Sequence, residues 1–266
     1  YIGMLILRLP FPGGRLWSPE CPNLHTARVT VARSGRVIGA WHERFGVRSL
    51  IVKDKEFFLN GKPFFVRGCG NHMRNPLTHI AEADRDELRR QAGLIRRAGF
   101  NQTRHHTNCP YPEYFDAADE NGLFVEPELP YAAGGPCEPI PFSPLFDAKE
   151  YVRHYRRYVS FGMLSLGNEG HLAEVDGEIY RWVKANDPDR LVLHNDGGYN
   201  SPENSDFYTG PQEVWTGPLT NAPRPYVAHE YLNLGIKDDP RDADRYTGLV
   251  AAPRSWASYD AGLARA

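Results

Sequence analysis

"AGFNQTRHHTNCPYPEYFDAADENGLFVEPELP" occupies residues 98–130. It holds two short strand candidates, "NQTRHH" and "LFVEPELP", separated by "YPEYFDAADENG", which has helical spacing and closes on Gly122. A strand, a helix ended by glycine and a second strand within about 30 residues form a βα unit, the building block of parallel sheets. Both strands end in polar side chains, Arg104 and His106 on the first and Glu128 on the second.

The same grammar extends downstream. A charged amphipathic helix is expected over 82–100, "EADRDELRRQAGLIRRAGF", after a strand in "FFVRGCG". Beyond the Gly/Pro-rich loop at 133–145 come the helix "FDAKEYVRHYRRYV", the strand "FGMLSLGNE" and the helix "LAEVDGEIYRWVKANDPDR". The strands "LVLHND", "DFYTG" and "PYVAHEYL" complete the series, giving seven candidate strands near residues 64, 101, 123, 161, 191, 206 and 225. An open doubly wound sheet needs a phosphate-binding glycine loop after its first strand, and "RGCGNHMRNP" lacks the GxGxxG order. A (β/α)₈ barrel of the TIM type fits better, because its catalytic groups sit at the C-terminal strand ends. Those ends carry His72, Arg104, His106, Glu128, Asn168 and Glu169, Tyr208 and Glu230.

Upstream, the period changes to two. "HTARVTVAR" and "RVIGAWHERFG" flank Ser34–Gly35, and Asn60–Gly61 separates two apolar runs in "SLIVKDKEFFLNGKPFFVRG"; both read as antiparallel hairpins. Residues 1–50, opening with a strand in "YIGMLILRL", are thus expected to be an antiparallel β unit, and 51–266 the barrel.

The net charge of −2 argues against a nucleic-acid or anionic-membrane partner, and no apolar run approaches the length of a membrane span. The four cysteines, Cys21, Cys69, Cys109 and Cys137, form no CxxC pair, so free buried thiols are expected. "HHTNC" lacks zinc-ligand spacing, and adjacent histidines on a strand point in opposite directions, so no metal is expected. No cofactor is called for. Arg153, His154, Arg156 and Arg157 read as a solvated helix face, and His229 as part of the barrel packing. No charged leader is visible, but the chain opens at Tyr1 rather than Met, which leaves the compartment open.

Glu169 and Glu230 stand 61 residues apart, at the ends of the fourth and seventh strands. Facing each other across a barrel mouth, two carboxylates about 5–5.5 Å apart support retaining glycoside hydrolysis. One protonates the leaving oxygen while the other attacks the anomeric carbon. Arg104, His106 and Tyr208 are donors placed to keep the attacking group ionised.

Several long motifs together resemble glycoside hydrolase family 2, the group of β-galactosidases, β-glucuronidases and β-mannosidases. "LWSPECPNLHTARVTV" and "ERFGVRS" look like the last strands of that family's immunoglobulin-like sandwich. "FFLNGKPFFVRGCGNH", the stretch at 98–130, "SLGNE" and "RPYVAHEY" are similar to successive parts of its barrel. The resemblance implies a retaining exo-β-glycosidase, most simply β-galactosidase-like, with a glycoside as substrate. It implies that Glu169 is the acid/base, Glu230 the nucleophile and Asn168 the amide that binds the sugar 2-hydroxyl. His72, Arg104 and His106 fall on binding positions, and Glu128 on an acidic position of more structural character. Tyr208 and Trp215 fall on a nucleophile-orienting hydroxyl and a sugar platform. Only 36 residues lie beyond Glu230 and none reads as an apolar strand, so the eighth strand is expected to be missing and the chain to be an internal slice of a larger enzyme. A non-catalytic carbohydrate-binding fragment is the alternative.

Overall fold

The computed structural model describes residues 10–73, 75, 78, 80–132, 135–136, 143–168, 174–194, 204–209, 224–227 and 229. Glu169, Trp215 and Glu230 lie outside the described residues, as do the strand expected in 1–9 and Cys137.

Strands β1 (His25–Arg33) and β2 (Arg36–Phe45) pair antiparallel, with Val29 opposite Trp41. Their connection places Ser34 at φ 49° and Gly35 at φ 76°, the left-handed pair that a tight hairpin turn demands. A two-stranded ribbon buries too little to stand alone, and Val37, Ile38 and Trp41 are exposed. It is tied to the rest of the protein by ion pairs of Arg44 with Glu120 and of Arg157 with Glu43.

Next come β3 (Leu50–Lys53), β4 (Glu56–Leu59) and β5 (Lys62–Phe64), an antiparallel meander. Asn60 and Gly61 both have positive φ between β4 and β5, as the hairpin reading anticipates. The apolar side chains Leu50, Phe57 and Leu59 do not face solvent. They pack with Phe124, Met163, Leu191, Leu193 and Phe207, so the meander closes the floor of the parallel sheet.

The parallel sheet begins at β6 (Gly68–Asn71), which pairs with β7 (Gln102–His105), and β7 pairs with β8 (Phe124–Pro127). Parallel bridges Val125–Phe161 and Glu128–Ser165 join β8 to β11 (Met163–Ser165). Strand β11 pairs with β12 (Leu191–Leu193), and β13 (Tyr208–Thr209) with β14 (Tyr226–Val227). Val192 O accepts from Asp206 N at 2.8 Å, linking β12 to the approach of β13. The described residues thus contain seven parallel strands in chain order. A cleft of about 650 Å³ lies between Phe65–Cys69 and Pro225–His229, the two ends of that series.

Helices α1 (Arg85–Arg97), α2 (Pro112–Asn121), α3 (Pro144–Tyr155) and α4 (Glu174–Asn186) cover the outer face. Val125, Phe161, Leu164 and Val192 point outward into a core shared with Tyr114, Phe115, Val152, Ile179 and Val183 of the helices. Phe124, Met163, Leu191 and Leu193 point inward to the floor. This two-sided burial is why β11 and β12 read as continuous apolar runs, whereas β7 buries the polar side chains Gln102, Thr103, Arg104 and His105.

Several boundaries differ from the sequence reading: α3 begins at Pro144 and stops at Tyr155 rather than running from 146 to 159, and α4 ends at Asn186 rather than at 190. Helix α1 is trimmed because Asp84 caps its first turn, accepting from Glu87 N at 2.8 Å, and Gly99 turns left-handed (φ 94°) after its end. The strand expected in "FFVRGCG" is split between β5 and β6. There the Asn101 side chain takes over the backbone bonds, donating to Phe65 O at 2.9 Å and accepting from Arg67 N at 2.8 Å. Within the loop expected at 133–145, Gly135–Pro136 (β10) pairs with Tyr131–Ala132 (β9). Cys69 and Cys109 are partly buried free thiols, whereas Cys21 is exposed rather than buried because it sits in an irregular surface turn bonded to Ser18. Arg153, His154, Arg156 and Arg157 are exposed, as expected.

Candidate active site

The C-terminal ends of β7, β8 and β11 converge on one buried carboxylate. Glu128, just past the end of β8, is fully buried. Arg104 of β7 donates to it through Nε at 3.0 Å and through Nη2 at 2.9 and 3.1 Å to its two oxygens. Thr107 N donates to Oε1 at 2.8 Å, and Ser165 Oγ of β11 to Oε2 at 2.9 Å. A charge taken out of water is tolerable only when paired and fully hydrogen-bonded, and here β7, β11 and the turn after β7 provide the donors.

Arg104 has a further function. Its Nη2 donates at 2.8 Å to Oδ1 of Asn168. A guanidinium has no acceptor, so the atom facing it must be the amide oxygen. Consequently the Asn168 NH₂ group is turned away from Arg104 and remains a directed donor. The backbone is fixed as well: Asn168 N donates to Tyr131 O at 2.9 Å. Gly167 has φ 154°, and a Cβ there would press on Tyr131 O at 3.0 Å. The first glycine of "LGNEG" is therefore a geometric requirement for presenting Asn168 at the strand tip.

His72 and His106 stand beside this network, their rings 4.8 Å apart and tilted by 32°. His106 N donates to Asn71 O at 3.1 Å, continuing the β6–β7 ladder to the rim. His105 faces the helices instead, its ring edge-on to Tyr114 at 4.6 Å. Burial lowers its pKa to about 3, so it is neutral. Among the described residues no group of three or more His, Cys, Asp or Glu side chains is arranged to hold a metal ion.

The site thus brings Arg104, Glu128 and Asn168 into direct contact, with His72 and His106 as neighbours. Tyr208 is not joined to them. Phe207 faces the barrel interior, so the next residue faces the opposite side of β13, and the buried Tyr208 hydroxyl has no hydrogen-bond partner among the described residues. Ser165 and Thr107 were not foreseen. A lone serine in the apolar run "GMLSLG" was the available signal for the first, whereas the second acts only through its backbone.

One layer deeper lies a second polar set, of which sequence reasoning placed His229 in the barrel packing but missed Glu126 and Gln102. Glu126, fully buried on β8, accepts from Gln102 Nε2 of β7 at 2.5 Å. Its Oε2 also lies 3.3 Å from His229 Nε2.

A family model described as the TIM barrel domain of glycosyl hydrolases family 2 matches residues 50–141, and a second, described as glycosyl hydrolases family 2, matches residues 5–48. Together they span half of the chain. This chain belongs to glycosyl hydrolases family 2. Among solved structures, it is similar to a β-glycosidase from Bacteroides vulgatus, with 25% identity and a TM-score of 0.64 over 73% of this chain and 26% of that one. A β-glucuronidase from Parabacteroides merdae matches with 23% identity and a TM-score of 0.63 over 74% and 26%. A family 2 member from Bacteroides cellulosilyticus matches with 22% identity and a TM-score of 0.64 over 76% and 28%. The present chain spans about a quarter of the length of these family 2 structures. The likeness is in the fold: α/β, built on the TIM-type barrel.

Proposed function

We propose that this chain carries the central part of a retaining exo-β-glycosidase site that acts on a terminal β-linked sugar. The observation that carries the reading is the Arg104–Glu128–Asn168 network. It holds the Asn168 amide so that its NH₂ is a fixed donor, immediately before Glu169 in the chain. In this reading Asn168 binds the sugar 2-hydroxyl, a contact that strengthens as the oxocarbenium-like transition state forms. Glu169 protonates the glycosidic oxygen, Glu230 attacks the anomeric carbon, and Glu169 then deprotonates the water that releases the sugar. His72 and His106 line the sugar subsite, and Trp215 provides a ring platform. Glu128 does no chemistry; it holds Arg104 in place. We further propose residues 1–50 as the end of an immunoglobulin-like sandwich and 51–266 as the catalytic barrel.

The solved structures that this chain resembles include a β-glucuronidase and a β-glycosidase, so the sugar is to be found by assay. Nitrophenol release from aryl β-galactoside, β-glucuronide and β-mannoside should identify one productive sugar, with β-galactoside the first to try. No release from any of them, together with measurable sugar binding, would replace the enzyme reading with that of a binding fragment.

A further inference from the structure

The buried pair Glu126–His229 is used by none of the proposed catalytic steps, yet it occupies the barrel interior one layer below the Arg104–Glu128 network. Glu126 belongs to β8 and His229 lies two residues past β14. These strands are not ladder neighbours, so the contact crosses the barrel. Both side chains are almost fully buried, 0% exposed for Glu126 and 3% for His229. The surroundings are largely apolar: the Phe207 ring lies 6.4 Å from the His229 ring, and the Met163 sulfur accepts from Gln102 Nε2 at 3.2 Å. A carboxylate there needs donors. Gln102 serves Oε2 from the neighbouring strand, and Oε1 has no hydrogen-bond partner among the described residues. The imidazole of His229, 3.3 Å from Oε2, is the group that reaches Glu126 from across the interior.

Strand β14 needs such an anchor. Its only ladder among the described residues is with β13, through the pairs Tyr208–Tyr226 and Thr209–Val227. On its other side is the cleft. A one-residue slip of a strand turns every side chain to the other face. Slipping β14 in one direction would bring Ala228 to the interior position and leave Glu126 without its imidazole. Slipping it in the other would bring Glu230 there, facing one carboxylate with another. Both alternatives are costly in a low-dielectric interior.

We infer that Glu126 and His229 form a cross-barrel positioning pair that sets the register of β14, and with it the placement of Glu230. The part concerning Glu230 rests on the proposed glycosidase function; the part concerning β14 does not. Hydrogen exchange of the full chain, monitored in the peptide spanning 224–230, tests the register directly. Glu126→Leu and His229→Leu should each speed exchange there by roughly tenfold or more, through local opening, with α1 and α2 unchanged. Glu126→Gln, which keeps an acceptor, and His229→Gln, which keeps a donor, should retain most of the protection and guard against variants that do not fold. On an aryl glycoside that the wild type turns over, the leucine variants should lose kcat by roughly 10²-fold with KM little changed, as expected when a reacting group is displaced by about 1 Å. Unchanged exchange in 224–230, or an increase spread evenly over the barrel, would overturn the pair's role. A wild type inactive on every glycoside, with the exchange pattern as expected, would overturn only the glycosidase reading.

Discussion

At the scale of single residues, the site works by removing choices. Arg104 can only donate, so it dictates which end of the Asn168 amide faces it, and Glu128 keeps Arg104 from turning elsewhere. Asn168→Ala should therefore lower kcat/KM by roughly 10²–10³-fold, or about 3–4 kcal/mol of transition-state stabilisation. The diagnostic measurement is a 2-deoxy aryl glycoside: the wild type should discriminate strongly against it, whereas Asn168→Ala should treat it and the 2-hydroxy parent nearly alike. A second residue sets a pH dependence. Burial raises the Asp119 pKa to about 6, although Ser160 N donates to its Oδ1 at 2.8 Å. A carboxyl whose pKa is raised by folding stabilises the fold below its unfolded value near 4, and that contribution is lost as the pH rises through about 6. Asp119→Asn keeps the acceptor for Ser160 and removes the charge. It should gain about 3 kcal/mol at pH 7 and nothing at pH 4. Equal gains at the two pH values in denaturant titrations would refute the assignment.

At the scale of elements, the hairpin turns and the glycine stop of α2 were the parts most readable in the sequence, because their signals are local. Asn60–Gly61 and Ser34–Gly35 turn where a tight hairpin demands positive φ, which Gly35, Asn60 and Gly61 adopt readily. Gly122 ends α2 in the left-handed conformation, φ 75° and ψ 44°. It is also constrained from outside, since a Cβ there would collide with the Pro19 carbonyl oxygen, whereas a Cβ on Gly99 (φ 94°) would meet open space. Gly99→Ala should thus cost about 1 kcal/mol through backbone strain alone. Gly122→Ala should cost clearly more, and thermal unfolding of the two variants gives the comparison. A larger loss at Gly99 would mean that the contact with Pro19 is not felt. The split of "FFVRGCG" into β5 and β6 was not readable, because it depends on the Asn101 side chain, which lies more than thirty residues downstream.

At the scale of the whole molecule, the proposed roles of Glu169 and Glu230 separate by stereochemistry. Glu169→Ala should still form a glycosyl-enzyme from a dinitrophenyl glycoside, whose leaving group needs no proton, and then stall for lack of a base. Azide should restore its turnover and give the β-glycosyl azide. Glu230→Ala should give the α-azide by single displacement. The same anomer from both variants would remove the role assignment, and exchanged anomers would reverse it.

The sequence by itself determined the alternation of strand and helix, the hairpin turns, the glycine that ends α2 and the list of polar residues at strand tips. Each comes from short-range periodicity and from the conformations that glycine and asparagine alone adopt readily. Only the tertiary structure decided which of those polar residues meet. Glu128 and Asn168 lie 24 and 64 residues from Arg104 along the chain, and no local pattern encodes a hydrogen bond of that reach. The same limit hid the pairing of Glu126 with His229: the strand period turned His229 into the barrel packing, but the pairing exists only because a curled parallel sheet brings distant strands together around one interior.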